Sequence, residues 1–289
     1  MGLNSVTSTA LTGLVSATAI IDVVANNLAN SQTPGFQAAE VILQSQASQT
    51  LGYGHAPSGL SGGLNPFQGG MGVAVGGIET DFSPGSLQLD EPLPLLALDG
   101  EGLFILEDQS GQRFYSRDGR FRLNSADELT NAYGYRVMGY ALDEQGRLDT
   151  TQLASLTVEI GSEVRDSHGR AANLQTYTVG SDGRIIGKYS DGVDRTLGQV
   201  RLARFQNPGG LYRRANTLYQ ASAISGQPLE TNPGTAGAAT IVAHAIERSN
   251  VDIGKQLLDL ARARTQFRLN LLVAITAQDM LSQLIRWRR

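Results

Sequence analysis

Residues 3–30 read LNSVTSTALTGLVSATAIIDVVANNLAN, and their apolar side chains recur every three or four residues. This spacing places those side chains on one face of an α-helix that extends roughly 40 Å at ~1.5 Å per residue. The helix ends before Pro34 and Gly35, because proline lacks an amide donor and glycine permits a positive φ. The predicted apolar face contains Leu3, Val6, Ala10, Leu14, Ala17, Ile21, Val24 and Leu28.

The other end of the chain predicts a second long helix. Its apolar residues alternate between four- and three-residue spacings, which is typical of a coiled-coil seam. We expect Ser249 or Asn250 to cap this helix, with Asp252 in its first turn. Two such helices predict an antiparallel hairpin, and any apolar surface left over requires another subunit. The predicted seam contains Ile253, Leu257, Leu260, Phe267, Leu271, Ala274, Leu281 and Ile285.

The sequence between the helices predicts β-structure. Short apolar or alternating runs surround four Asp-Gly pairs that favour tight turns: Asp99-Gly100, Asp118-Gly119, Asp182-Gly183 and Asp191-Gly192. The expected arrangement is an antiparallel sandwich or barrel. The candidate strands are Leu103–Leu106, Arg113–Ser116, Phe121–Leu123, Tyr135–Tyr140, Leu156–Ile160, Gln175–Val179, Arg184–Tyr189, Gln199–Phe205 and Leu218–Ala221.

These patterns predict an α+β fold in which the long terminal helices pair as a coiled-coil-like layer and the chain between them forms a central antiparallel all-β domain. The predicted segments are an N-terminal helix at 1–33, a glycine-rich extended connector at 34–78, the β-domain at 79–246 and a C-terminal helix at 247–289. A small outer elaboration of the β-domain is placed at 142–178. Within the connector, Gly52–Gly77 has no helical pattern and is expected to be extended or poorly ordered.

Composition excludes several classes of protein. The chain has no cysteine, which removes disulfides, thiolate zinc sites and cysteine nucleophiles. A net charge of −4 and a pI near 5.4 argue against a nucleic-acid-binding protein, which needs a concentrated basic face. The first helix lacks a basic leader and contains Asp22 and Asn26, so we expect neither a secretory signal nor direct membrane insertion.

No catalytic, cofactor or metal site is predicted. The glycines around Gly69–Gly77 lack dinucleotide-binding spacing and do not open a helix. Asp166, Ser167 and His168 are consecutive, whereas the members of a hydrolase triad converge from separate segments. Carboxylate pairs such as Glu107 with Asp108 stand near turns, where such side chains are usually solvated.

Motifs at both ends of the chain are similar to those of the bacterial flagellar rod and hook family of axial proteins. Asp22–Asn30 followed by Thr33–Phe36 resembles the N-terminal signature of that family, and Glu247–Asp252 resembles the C-terminal one. Asp99–Phe104 and Tyr115–Phe121 resemble the core of its β-domain. The residues of the end motifs are Asn26, Asn27, Asn30, Gly35, Phe36, Ser249, Asn250, Val251 and Asp252.

This resemblance implies a structural protein that is not an enzyme and binds no cofactor. It implies that subunits polymerise helically around an export channel, with the helices as the inner lining. The implied partners are copies of the chain itself, adjacent axial proteins, hook-cap or rod-cap and junction proteins, and the flagellar type III export apparatus. For Asn26, Asn27 and Asn30, polar caps of the helix and contacts between neighbouring subunits stay equally open.

The position along the flagellar axis has two readings. Gly62–Gln68 and Gly134–Tyr140 look like segments of hook proteins, which makes the torque-transmitting hook the first assignment. Only about 35 residues separate Ala141 from Thr178, and this shorter middle is nearer to the distal rod protein, the alternative. A non-flagellar soluble enzyme is the least favoured reading. The second helix departs from the family at Arg264-Thr265 and Leu271-Leu272.

Overall fold

A computed structural model describes residues 3–59, 62–89, 95–143, 147–165, 171–235 and 237–287. It contains two α-helices, α1 (Leu3–Ala29) and α2 (Ile253–Trp287), and a short 3₁₀ turn at Pro208–Gly210. The strands are β1 (Ala39–Ser45), β2 (Gln49–Gly52), β3 (Phe67–Gly69), β4 (Val73–Thr80), β5 (Leu87–Leu89), β6 (Leu96–Asp99), β7 (Leu103–Glu107), β8 (Arg113–Ser116), β9 (Phe121–Leu123), β10 (Leu129–Asn131), β11 (Arg136–Ala141), β12 (Ala154–Ser155), β13 (Glu163–Arg165), β14 (Ala171–Val179), β15 (Arg184–Tyr189), β16 (Asp194–Val200), β17 (Leu202–Arg204), β18 (Tyr212–Arg213), β19 (Leu218–Gln220), β20 (Leu229–Thr231), β21 (Thr240–Ala243) and β22 (Ala245–Glu247).

The chain divides into two compact units. The helical unit consists of Met1–Ala29, Ala39–Glu79 and Asp252–Arg289, and the β unit consists of Asn30–Ala38 and Thr80–Val251. The helices and the antiparallel β-domain together confirm the predicted α+β class. The terminal segments therefore share one unit although they lie at opposite ends of the sequence.

In the helical unit, α1 and α2 pack against each other as an antiparallel pair. Gly13 of α1 lies against Asn270 of α2, and Asn27 near the end of α1 is hydrogen-bonded to Gln256 near the start of α2. A Cβ on Gly13 would lie 2.6 Å from Asn270 Cγ. Glycine therefore permits the close approach of the two helices at this point. The predicted helical hairpin is confirmed.

The cap of α2 differs from the expectation. Asp252 accepts a hydrogen bond from the Lys255 amide at its Oδ1 (3.1 Å), so Asp252 is the residue that caps the helix. Ser249 Oγ instead accepts from the Val251 amide (3.3 Å), and Asn250 binds segments of the β unit. The capping residue is displaced because α2 begins at Ile253, later than the sequence pattern indicated.

The glycine-rich stretch after α1 forms short antiparallel strand pairs. Strand β1 pairs with β4 and β2 pairs with β3, and both pairs belong to the helical unit except for the last residue of β4. Tyr53, Leu64 and Phe67 of this stretch are exposed. The sequence pattern predicted an extended segment without revealing these pairings.

The β unit is built on a sheet of 14 strands among the described residues. Its main path runs β13, β14, β15, β16, β11, β7, β8, β19 and β18, with every neighbouring pair antiparallel. Two further antiparallel pairs, β5 with β22 and β6 with β21, complete the unit. Phe104 and Phe121 pack edge to face at 5.0 Å between ring centroids in the larger of its two apolar clusters.

Several predicted strands and turns are confirmed. Strands β8, β9 and β15 have the expected bounds, and Asp182-Gly183 and Asp191-Gly192 connect the neighbouring hairpin strands β14 to β15 and β15 to β16. The expected strand Gln199–Phe205 is divided into β16 and β17, because β16 pairs with β15 and β11 whereas β17 pairs with β7 and β20.

Three predictions were wrong. Residues Leu156–Ile160 do not form a strand; Leu156 and Val158 are buried and their amides bond singly to the Val137 and Asp127 carbonyls. Asp99-Gly100 and Asp118-Gly119 do not close hairpins, since β6 pairs with β21, and β8 and β9 pair with other strands. The Leu96 carbonyl instead packs so closely against Gly119 that no room is left for a Cβ there.

Helix α1 is also long and apolar enough to cross a membrane. It is the one such helix among the described residues, with a mean hydropathy of 1.6 over its best 18-residue window. The core helix of a globular protein passes the same test of length and composition, so the expectation that α1 does not insert into a membrane stays a prediction.

Candidate functional site

The face of α1 that was predicted from periodicity lies against α2. Ala10, Ala17 and Val24 are buried, and the small residues Gly13 and Ser16 are buried beside them. Short side chains at these positions let the two helix backbones approach closely. The remaining predicted positions are half-buried: Leu3, Val6, Leu14, Ile21 and Leu28.

The predicted residues of α2 lie on two different stripes. Leu260, Phe267, Ala274 and Leu281 are half-buried toward α1. Ile253, Leu257, Leu271 and Ile285 are exposed in the single chain, with Leu257 at 53% and Ile285 at 65%. The positions that complete the stripe facing α1 are Gln256, Ala263, Asn270 and Ala277, which are small or polar.

Asn27 of the N-terminal motif fixes the end of α1. Its Nδ2 donates to the Ala39 carbonyl (2.7 Å) and to Gln256 Oε1 (3.1 Å), and its Oδ1 accepts from the Ala39 amide (3.0 Å). The side chain is only 1% exposed. Asn27 therefore holds the chain beyond the turn against α1 and fixes the register of the two helices, as a buried polar residue in a helix seam does.

Asn250 of the C-terminal motif joins three segments of the β unit. Its Oδ1 accepts from the Ala38 amide (2.7 Å), and its Nδ2 donates to the Asp81 carbonyl (2.8 Å) and the Ser83 carbonyl (3.0 Å). The Gln37 side chain, which is fully buried, also lies 3.0 Å from Asn250 Nδ2. One amide side chain thus connects the C-terminal motif to the two residues that directly follow the N-terminal motif.

Arg117 and Glu247 form a buried ion pair beside this amide. Arg117 Nε lies 2.9 Å from Glu247 Oε2, and the two side chains are 2% and 0% exposed. Arg117 Nη1 donates to the Gly100 and Gly102 carbonyls, both at 2.8 Å. Glu247 Oε1 accepts from the Gly85 amide (3.0 Å). We call Gln37, Arg117, Glu247 and Asn250 the polar cluster.

Burial raises the pKa of the Glu247 carboxyl above its ordinary value. The Arg117 charge and the hydrogen bonds from Gly85, Arg117 and Gln37 act in the opposite direction, toward the ionised form. Because the folded-state pKa is raised, the contribution of this carboxyl to stability is largest at low pH and declines as the pH rises through that pKa. Removal of either member of the buried Arg117–Glu247 pair is therefore expected to lower the free energy of unfolding.

Gly35 and Phe36 complete the connection of the N-terminal motif to the β unit. Gly35 has φ +66°, and its amide donates to the Glu247 carbonyl (2.9 Å). Phe36 is buried under the guanidinium of Arg213, 4.2 Å from the ring centroid. The left-handed backbone at Gly35 explains why the motif has glycine there.

The other motif residues have local roles. Asn30 Oδ1 accepts from Thr33 Oγ1 (3.2 Å) in the turn after α1. Asn26 is exposed on α1, and Val251 is half-buried just before α2. Asp252 caps α2, whereas Ser249 Oγ accepts from the Val251 amide before the helix begins. Asn27 and Asn30 therefore both have structural hydrogen bonds within the chain.

Sequence reasoning missed Arg117, Glu247 and Gln37 as a group. Each lies in or beside a segment that was singled out as a motif, and the opposite charges of two motif residues were the available signal. Their convergence depends on strand pairings far apart in the sequence, which no local pattern reveals.

The described residues contain no group of three or more His, Cys, Asp or Glu side chains arranged to hold a metal ion. Of the carboxylate pairs, Glu107 contacts Arg136 and Asp108 closes its own turn. The Ser110 hydroxyl lowers the pKa of Asp108. The Asp166-Ser167-His168 sequence lies outside the described residues.

Two family profiles match the chain. One is described as "Flagellar hook protein FlgE/F/G D1 domain" and matches residues 97–187, within the β unit. The other is described as "Flagella basal body rod protein" and matches residues 8–37, which contain α1 and the N-terminal motif. The chain is thus similar to the flagellar rod and hook axial proteins both in its first helix and in its β unit.

Curated proteins that resemble this chain match it over nearly its whole length. The flagellar basal-body rod protein FlgG of Bacillus subtilis (strain 168) is 28% identical over 93% of both chains. FlgG of Buchnera aphidicola subsp. Baizongia pistaciae is 28% identical over 95% of this chain and 96% of its own. The flagellar hook protein FlgE of Borreliella burgdorferi is 24% identical over 96% of this chain and 98% of its own. The family consists of structural proteins of the flagellum, not of enzymes.

Proposed function

We propose that this chain is a structural subunit of the rod of the bacterial flagellum and acts by assembling with copies of itself and with adjacent axial proteins. The observation that carries the proposal is the match between this chain and the rod proteins over nearly the full length of both. The alignment with FlgG of Bacillus subtilis spans 270 residues and leaves 7% of either chain unmatched. Both terminal helices and the β unit therefore have counterparts in a rod protein.

Alignment length favours the rod over the hook. The alignment with the Borreliella hook protein needs 432 positions although this chain has 289 residues, so that protein contains substantial segments with no counterpart here. The alignments with rod proteins need between 270 and 277 positions. The short segment between Ala141 and Thr178, which already favoured the distal rod protein in the sequence, agrees with this difference in alignment length.

The hook is the second candidate. It is supported by the description of the matching β-unit profile as a hook-protein domain and by the hook-like segments Gly62–Gln68 and Gly134–Tyr140. Both assignments give the chain the same mechanical role, since a rod and a hook both transmit torque and enclose the export channel. They differ in where the subunit stands along the axis.

The geometry supports an assembly role. Exposed apolar residues lie along α2 on the side that does not face α1, among them Leu257, Leu271 and Ile285. A soluble monomer seldom leaves so much apolar helix surface in water. We propose that helix pairs from many copies close into the inner tube, with the predicted seam residues of both helices as the contacts within and between copies.

The proposed location is the flagellar basal body, reached through the flagellar type III export apparatus. The proposed neighbours are the axial proteins before and after it in the rod, together with the rod cap or the hook cap and junction proteins. Within the β unit, the polar cluster connects the segment that follows α1 to the segment that precedes α2, which suits a subunit that carries load.

Isolation of hook–basal-body complexes tests the proposal. In a strain whose chromosomal copy has a C-terminal epitope tag and normal motility, immunogold electron microscopy locates the tag. Gold on the rod supports the first candidate, and gold along the hook supports the second. Absence of the chain from purified complexes, with the chain present in the cytoplasm, would overturn both.

A further inference from the structure

Residues 240–251, which we call the closing segment, are the last part of the β unit in the sequence. They contain β21, β22 and the residues that lead to α2. A protein chain is synthesised from its N-terminus, so every other strand of the β unit is made before this segment. The contacts of the closing segment therefore decide what the unit lacks while the chain is incomplete.

Strand β6 is paired through the closing segment. Leu96–Asp99 of β6 face Thr240–Ala243 of β21 in register, and no other strand pairs with β6 among the described residues. Leu96 and Leu98 are fully buried and belong, with Ile241, to the larger apolar cluster of the unit. Without β21, the main-chain groups that β6 turns toward it would be buried with neither a strand nor water as their partner.

The closing segment also supplies the anion that pairs with Arg117. The guanidinium of Arg117 is buried, and Glu247 is the carboxylate that forms an ion pair with it among the described residues. Arg117 Nη1 is hydrogen-bonded to the Gly100 and Gly102 carbonyls, which are neutral. A β unit that folded without Glu247 would therefore contain a buried positive charge with no anion beside it, which is strongly unfavourable.

The same segment holds the residues that follow α1. The Gly35 amide donates to the Glu247 carbonyl (2.9 Å), and Asn250 Oδ1 accepts from the Ala38 amide (2.7 Å). Strand β22 pairs with β5, which precedes the main sheet in the sequence. Segments from the start, the middle and the end of the β unit consequently meet on one short stretch of chain.

We infer that the β unit folds as one cooperative unit only when the closing segment is in place, and that its other strands stay unfolded until this last segment has been synthesised. The segment supplies the partner strand of β6, the anion beside Arg117 and the anchor of the residues that follow α1. The inference goes beyond the proposed function, because it concerns how the chain reaches its fold. An incomplete chain is thereby kept unfolded, which suits the export route proposed above.

The alternative is a main sheet that folds first and binds the closing segment afterwards. The position of Arg117 argues against this order. Arg117 directly follows β8, and β8 lies between β7 and β19 within the main sheet. The uncompensated charge would therefore lie at the sheet itself and would destabilise it before the closing segment arrived.

Native-state hydrogen exchange of the purified full chain tests the inference. Exchange is followed by mass spectrometry of peptides at urea concentrations below the unfolding transition. We expect peptides from β6, β8, β21 and β22 to exchange through one common opening with the same dependence on urea. Strand β18 is the internal control, because it is at one end of the main sheet path and its residues are exposed, so we expect it to open locally at lower urea. Opening of β21 and β22 while β8 stays protected would overturn the inference.

Two matched charge reversals show whether the closing segment differs from other ion-paired segments. Glu247 in β22 and Glu230 in β20 each pair with an arginine in or directly after β8. The Arg113–Glu230 pair is partly exposed, whereas the Arg117–Glu247 pair is buried. We expect E247K to lower the ratio of folded to unfolded β unit at least ~100-fold, measured by near-UV circular dichroism in urea. We expect E230K to lower it by less than ~10-fold.

A double-mutant cycle identifies the missing anion as the cause. Glu247→Leu is made in the wild-type chain and in Arg117→Leu, where no buried charge is left to compensate. We expect Glu247→Leu to destabilise the β unit much less in the Arg117→Leu chain than in the wild type. Equal destabilisation in both chains would overturn the inference. It would also be overturned by E247K with a wild-type urea transition, or by E230K as destabilising as E247K.

Discussion

Arg117 Nε lies 2.9 Å from Glu247 Oε2 in the β unit, with both side chains almost completely buried and 130 residues apart in the sequence. Glu247 also accepts from Gly85 and Gln37, so the ion pair joins segments that precede, form and follow the main sheet. A buried pair of this kind costs desolvation energy, and its value lies in holding one arrangement of the chain once both partners are present.

Removal of Arg117 leaves the Glu247 carboxylate buried without its cation. We expect Arg117→Leu to lower the free energy of unfolding by about 3 to 5 kcal/mol at pH 7, as measured by urea denaturation. Because the pKa of Glu247 is already raised by burial and rises further without Arg117, this variant is expected to gain stability as the pH falls from 7 to 5. The double variant R117L/E247L is expected to recover part of the loss. A single variant as stable as the wild type would contradict the assigned role.

Tyr219 predicts the behaviour of the protein in alkali. Burial raises the pKa of its phenol from 10.0 to about 12. In this interval the unfolded chain ionises first, so the stability contributed by Tyr219 is present below pH 10 and is lost as the pH rises toward 12. We expect Tyr219→Phe to reduce the loss of stability between pH 10 and 12, measured by thermal denaturation. Tyr53→Phe is the control, since Tyr53 is 90% exposed, and an identical alkaline profile for Tyr219→Phe and the wild type would refute the prediction.

Asn27 is expected to stabilise the helical unit through its three side-chain hydrogen bonds. We expect Asn27→Ala to lower the melting temperature and to cost about 1 to 3 kcal/mol, because it leaves the Ala39 backbone groups without this partner. Asn4→Ala is the matched control on an exposed position of the same helix. Hydrogen exchange at the Ala39 amide gives a local readout. Unchanged protection of that amide in Asn27→Ala would show that the hydrogen bonds are dispensable.

Two charged substitutions distinguish assembly from folding. Leu257 is exposed and Leu28 is half-buried, so Leu257→Asp is expected to fold normally whereas Leu28→Asp also loses stability. Both are expected to be absent from flagellar axes, because each puts a charge into the predicted contact surface. Leu257→Met keeps the apolar character and serves as the control. Normal axes that contain either aspartate variant would refute the predicted seam at that position.

Local patterns in the sequence were sufficient for the helices and for part of the sheet. The spacing of Ala10, Ala17 and Val24 identified the buried face of α1, because most of the opposite positions in that helix are small or polar. Strands beside Asp182-Gly183 and Asp191-Gly192 were predictable because a tight turn and its two strands are neighbours in the sequence.

The face of α2 that packs against α1 was not predictable in the same way. The second half of this helix has apolar residues on more than one side, so periodicity alone cannot say which stripe faces α1. The stripe is decided by close approach: Gly13 admits Asn270, and Ala263 and Ala277 are small enough to be buried. Leu271 and Ile285, which are larger, are consequently left exposed.

The polar cluster also required the fold. Gln37, Arg117 and Glu247 come together only in the folded β unit, where β5 pairs with β22 although the two strands are distant in sequence. The family resemblance marked the segments that contain Arg117 and Glu247 without indicating that the two side chains meet.

Electron cryotomography of cells that lack this gene tests the central claim most directly, because it shows where the flagellar axis stops. If the chain is a structural subunit of the rod, we expect the axis to end within the cell envelope. We expect a complete axis to be restored when the gene is supplied in trans. A complete rod without a hook would contradict the rod assignment in favour of the hook, and intact, normally curved flagella would contradict a required structural role for this chain in the axis.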